Sequence, residues 1–255
     1  MESTARRPFP RRVSEVVAVV TFLFGAIGHL TAGLQAQTPE HSSAVPDLSA
    51  IWQRVGRIGP ASVSPEEWPL NARGIALREA FDEALHPMYD CVPAPIPHIL
   101  GDPYNFSIEQ QPDRVIIRYE KDDITRTVWL EGHGHREAMA SDFSVQGYST
   151  GRYENGQLVV ETTKFTFDAG GIDDHPPMVP STTSKRTVER YSRDGDRLTV
   201  EVVMEDPLIL TESVVLTFQF EPTENTLVEW IPCDPAQSRA PLRYIPEEQL
   251  KYGIR

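Results

Sequence analysis

"DRLTVEVVMEDPLILTESVVLTFQFE", residues 196–221, decides the fold. Leu198, Val200, Val202 and Met204 alternate with Thr199, Glu201 and Glu205, while Val214, Leu216, Phe218 and Phe220 alternate with Thr217, Gln219 and Glu221. A period of two is that of a strand with one face in a core and the other in water. Neighbouring stretches share the composition. "NFSIEQ", "RVIIRYE", "TRTVWLEG", "SVQGYSTGRYE", "QLVVETTKF", "SKRTVERYSR" and "TLVEWIPC" are rich in Val, Ile, Thr and aromatics, which raises to nine the strand-like runs between Asn105 and Cys233. Asn155-Gly156 and Asp194-Gly195 are expected to form type I′ hairpin turns, which need positive φ at both central residues. Pro112-Asp113, Lys121–Asp123 and Pro222–Asn225 suit further short turns.

Consecutive strands with short connections form an antiparallel meander, and closure into a barrel removes its exposed edges. The expected fold is mostly β: one up-and-down barrel of eight to ten strands over 105–233, with a β-sandwich as the alternative and 234–255 as a tail. Upstream, residues 37–63 are polar and Pro/Ser-rich at their start and read as a flexible leader. Residues 64–104 hold a helix and a Pro-rich extended segment. Ser64, Pro65 and Glu67 resemble a capping box, and the better helical stripe runs from Asn71 to Leu85, packed on the barrel. Residues 167–184, "FDAGGIDDHPPMVPSTTS", are long for a meander connection and read as a lid.

Arg6, Arg7, Arg11 and Arg12 precede an apolar run from Val16 to about Ile27, and Leu34 and Ala36 suit cleavage after Ala36. That pattern predicts a signal peptide over 1–36 and a periplasmic or secreted protein with no stable membrane insertion after cleavage; an uncleaved N-terminal anchor is the alternative. The two cysteines, Cys91 and Cys233, then suggest one disulfide. It would close a loop of more than a hundred residues, worth roughly 4–5 kcal/mol in the chain-entropy model. The formal charge of −13, with no Lys/Arg run after the leader, argues against nucleic acid as a partner. Glycine-rich phosphate loops, GxSxG and HExxH are missing, so no cofactor is expected.

"LEGHGHREA", 130–138, sets His133 and His135 two apart, as two ligands on one strand face would be. The interleaved Gly132 and Gly134 fit a turn better, so no metal site is expected. Polar residues on the strands are the other pool: a barrel interior must pair its charges or use them.

The chain also resembles a widespread, functionally unassigned family of secreted bacterial proteins with a lipocalin-like barrel. The resemblance rests on "DPY" (102–104), "QQPDRVIIRYE" (110–120), "TRTVWLEG" (125–132), "GYSTGRYENGQLVVETTKF" (147–165), "TVERY" (187–191), "DGDRLTVEVVMEDP" (194–207) and "EWIPC" (229–233). It implies that both cysteines are bridged and that His135 matches a family histidine. The chain departs where Tyr148 replaces a histidine, Ser181 and Thr183 stand in a Pro-His-Ser-Glu stretch, and Ser107 replaces a glutamate.

The expected function is a barrel that holds a small hydrophobic or amphipathic molecule inside. Tyr119, Arg126, Trp129, Arg152, Phe165, Asp173 and His175 are its candidate contacts. The alternative is a cofactor-free lyase, isomerase or hydrolase. In it Glu161 or Glu189 would be the base, His135 or Tyr148 the acid, and Arg126 or Arg152 the oxyanion partner.

Overall fold

A computed structural model describes residues 45–55, 68–132, 142–170, 178–229 and 231–244. Nine strands close into a barrel in chain order: β1 Ala50–Arg54, β2 Phe106–Gln110, β3 Arg114–Tyr119, β4 Ile124–Leu130, β5 Tyr148–Glu154, β6 Gln157–Thr163, β7 Arg186–Asp194, β8 Arg197–Glu205 and β9 Val214–Pro222. Nine is odd, and around a closed ring strict up-and-down alternation needs an even number. One neighbouring pair must therefore run parallel. It is β4 and β5, with Val128 opposite Ser149 and Leu130 opposite Gly151; the other neighbours are antiparallel.

The parallel pair corrects the pure meander. β4 and β5 are therefore not joined as a hairpin: the chain leaves β4 at one end of the barrel and enters β5 at the other. Residues 133–141, and with them His133 and His135, lie outside the described residues, as do the leader 1–36 and Ser64.

The barrel's bounds also shift. β1 comes from within the segment expected to be a flexible leader and pairs with both β2 and β9. The described part of the run "TLVEWIPC", 226–229 and 231–233, is not strand. Asn155 and Gly156 both have positive φ, as a type I′ turn requires. The 194–197 turn differs from the expectation: Asp194 pairs with Arg197, and only Gly195 has positive φ, the pattern of a II′ turn. The helix α1 is Ala72–Glu79, shorter than expected, with Asn71 as its N-cap accepting from the Arg73 and Gly74 amides. A 3-10 turn at Glu83–Leu85 takes the rest of the stripe. Gly74 lets α1 approach the 206–210 turn, since a Cβ there would sit 2.5 Å from the Ile209 carbonyl oxygen.

The two ends of the barrel differ. One carries the tight turns 111–113, 155–156 and 195–196. The other, the mouth, carries the longer connections, including 55–105, 164–185 and 206–213. Both alternating faces of 196–221 point inward: Leu198, Val200, Val202, Met204, Leu216, Phe218 and Phe220 are buried with Trp52, Phe106, Ile117 and Leu158 in one core. Leu48 and Trp52 pack at the tight-turn end, where the Trp52 indole donates to the Leu48 carbonyl at 3.0 Å. At the mouth, Ile96 and the short helix α2, His98–Gly101, add Ile99 and Leu100 to the same core as a stopper. The barrel is thus filled by its own side chains.

Candidate functional site

Alternation puts the inward polar residues of four strands into one layer beneath the stopper. Arg126 of β4 donates to both carboxylate oxygens of Glu189 of β7, at 2.6 and 2.7 Å, and to Ser149 at 2.9 Å and Thr162 at 2.6 Å. Thr187 and Tyr191 also donate to Glu189, at 3.2 and 2.7 Å. The ion pair is essentially unexposed, with side chains 2% and 0% accessible. Burial works against the Arg126 charge, but the Glu189 carboxylate outweighs it and raises the guanidinium pKa further above its usual value. Tyr119 of β3 reaches the same layer. Burial pushes its phenol up to about 12, and its buried hydroxyl has no hydrogen-bond partner of acceptable geometry. Burial first, then Glu189, also raises Tyr191.

Lys185 sits one step nearer the mouth. It precedes β7 in phase with Thr187, Glu189 and Tyr191, so it too points inward and is 1% exposed. Its ammonium donates to the Ile96 carbonyl at 3.0 Å and lies 4.1 Å above the centre of the Phe165 ring. Burial lowers its pKa from 10.5 to about 8, against the opposing pull of Asp168 and Asp206. Since the folded pKa is below the unfolded one, Lys185 lowers stability fully below about pH 8 and ceases to do so above about 10.5. Lys185→Met is therefore expected to be more stable than wild type at pH 7, by about 1–3 kcal/mol. By pH 10 that advantage should shrink. Urea denaturation at the two pH values checks this, and an equal gap at both would rule out the proton linkage.

Above the stopper lies a cavity of about 510 Å³. Its walls are the Pro-rich segment 86–104, Lys121 and Asp122, Asp168 and Gly170, and Ser238 beside the Cys91–Cys233 disulfide. The Pro-rich segment cannot form regular ladders, so it wraps over the mouth. The His86 Nδ1 accepts from the Met88 amide at 3.1 Å. Its Nε2 faces Gly170, where an added Cβ would lie 3.2 Å away. Asp102 accepts from the Lys121 ammonium at 2.7 Å, and Asp168 from the Gly170 amide at 2.9 Å. The first residues of the expected lid thus wall this cavity. The loop is pinned where Asp168 and Ser181 exchange backbone hydrogen bonds, while 171–177, including Asp173 and His175, lie outside the described residues.

The structure brings together Tyr119, Arg126 and Glu189 in the interior and places Phe165 under Lys185. It separates the other candidates. Glu161 is on the outer wall, bound to Arg186 at 2.8 Å, which holds its carboxyl below the usual range. Arg152 reaches Glu154 at 3.0 Å on the outer face, the Trp129 ring lies beneath Arg114, and Tyr148 sits beside Lys164. The expected acid–base set is therefore divided by the barrel wall. Lys185, His86, His98, Asp102 and Asp168 were missed from sequence. The phase of Lys185 with β7 is a usable signal and Asp168 lies in the expected lid, whereas His86, His98 and Asp102 belong to the Pro-rich segment, whose sequence carries none. Among the described residues, no three His, Cys, Asp or Glu side chains gather as a metal site. The chain matches no described protein family, no curated protein and no solved structure.

Proposed function

We propose that this protein is a binding barrel that holds a small, partly apolar molecule at its mouth and works outside the cytoplasm. One observation carries the reading. A cavity of about 510 Å³ is walled by apolar residues such as Met88, Val92 and Ala94 and, in similar number, by polar ones, among them His86, His98, Asp102, Lys121 and Asp122. A concave site that joins apolar walls to convergent polar groups suits a partly apolar ligand. Because the strands fill their own interior, the ligand site lies over the stopper rather than inside the barrel. The disulfide and the export-like leader support the compartment.

The test is native mass spectrometry of protein purified from its own source. Wild type should carry a co-purified small molecule. Ala94→Trp and Val92→Phe, which fill the cavity, should lose it while keeping the wild-type circular dichroism spectrum. A bare wild-type protein, or ligand retained by both folded variants, would overturn the reading.

A further inference from the structure

A second cavity, of about 350 Å³, adjoins the first and shares Pro87, Val92 and Asp168 with it. The two differ in chemistry. The second is walled mainly by apolar side chains: Leu85, Val145, Phe167 and Ala169. The first holds His98, Asp102, Lys121 and Asp122. Apolar surface is left open along this track. Leu85 is 42% exposed, Met88 53% and Phe167 52%. Clustered large apolar side chains in water mark a surface that something covers, and these three border the two cavities.

The geometry points to a single-chain amphiphile with a non-anionic head as the ligand, its alkyl tail against Phe167 and Leu85 and its head among His98, Asp102 and Asp122. This rests on the mouth-binding reading and specifies its ligand class. A compact molecule would fill the first cavity and leave the apolar track bare, whereas a chain crossing at Val92 covers both. The sign of the head follows from the walls. Among the described lining residues, Asp102, Asp122 and Asp168 outnumber one lysine, Lys121, which is bound to Asp102. An anionic head would meet this excess of carboxylates on a chain whose formal charge is −13.

Isothermal titration of the purified, delipidated protein with dodecylamine, dodecanoate and butylamine, each below its micelle concentration, tests the assignment. Dodecylamine should bind one per chain. Dodecanoate should bind at least tenfold more weakly, and butylamine should give no measurable heat. Phe167→Asp alters a half-exposed side chain and should weaken dodecylamine at least tenfold with an unchanged melting temperature. If butylamine matches dodecylamine, or Phe167→Asp binds like wild type, the second cavity takes no part and the amphiphile is overturned, while the mouth site stands. Dodecanoate binding as tightly as dodecylamine overturns the head assignment. If none of the three probes binds, the amphiphile is overturned, and the mouth site itself is decided by the co-purification result with Ala94→Trp.

Discussion

Glu189→Ala is expected to destabilise the barrel by about 3–5 kcal/mol, because it leaves the Arg126 guanidinium charged, buried and without its counter-ion. Burying two charges is expensive, and the pair is tolerable only because each also meets hydroxyl groups: Ser149 and Thr162 for Arg126, Thr187 and Tyr191 for Glu189. Removing both charges together, as Arg126→Met with Glu189→Leu, should therefore cost less than removing Glu189 alone. Tyr119→Phe lies in the same layer and should cost far less than Glu189→Ala, since it removes a neutral hydroxyl and leaves the ion pair intact. Urea denaturation of the variants checks all of these. A loss below about 1 kcal/mol for Glu189→Ala would mean that water reaches the layer.

Cys233→Ser should destabilise by about 2–5 kcal/mol, the range for removing a native disulfide. The bridge spans 142 residues and joins the Pro-rich segment to the C-terminal part of the chain. Other links hold the C-terminal part to the neighbouring 84–90 stretch. Arg239 pairs with Asp90, and the Ser238 hydroxyl donates to the Met88 carbonyl at 3.0 Å, both exposed and therefore weak; Leu242 is buried against Ala84, with Tyr89 beside them. The variant should accordingly show a two-part response: a lower midpoint in denaturant, and protease cleavage near 86–94 under conditions where wild type resists. Equal midpoints with and without reductant would show that the other contacts suffice.

The interior of the barrel was legible in the sequence where alternation was strict. The faces Leu198–Met204 and Val214–Phe220 both point inward. β1 was not legible, because "AIWQR" has no clear alternation and becomes a strand only through β2 and β9, far away in sequence. Nor was the parallel pair. Propensity marks which residues extend, not which strands become neighbours, and parity decides the matter only once the strand count is known. The candidate site was legible in part. Arg126, Glu189 and Tyr119 stood out as polar residues in strands. The mouth cavity was hidden because irregular segments build it, and neither composition nor period tells where a proline-rich segment will lie.

The pairing of β1 with β9 also gives the barrel a single seam, joined by residues as far apart as Gln53 and Glu221, whose side chains meet at 2.8 Å. Until β9 has been made, both β1 and β8 are bare edges able to pair with any other chain. Closure must wait for almost the whole polypeptide, and so late a long-range contact makes folding slow. A chain truncated between Glu205 and Val214 is thus a sheet with two sticky borders rather than a smaller barrel.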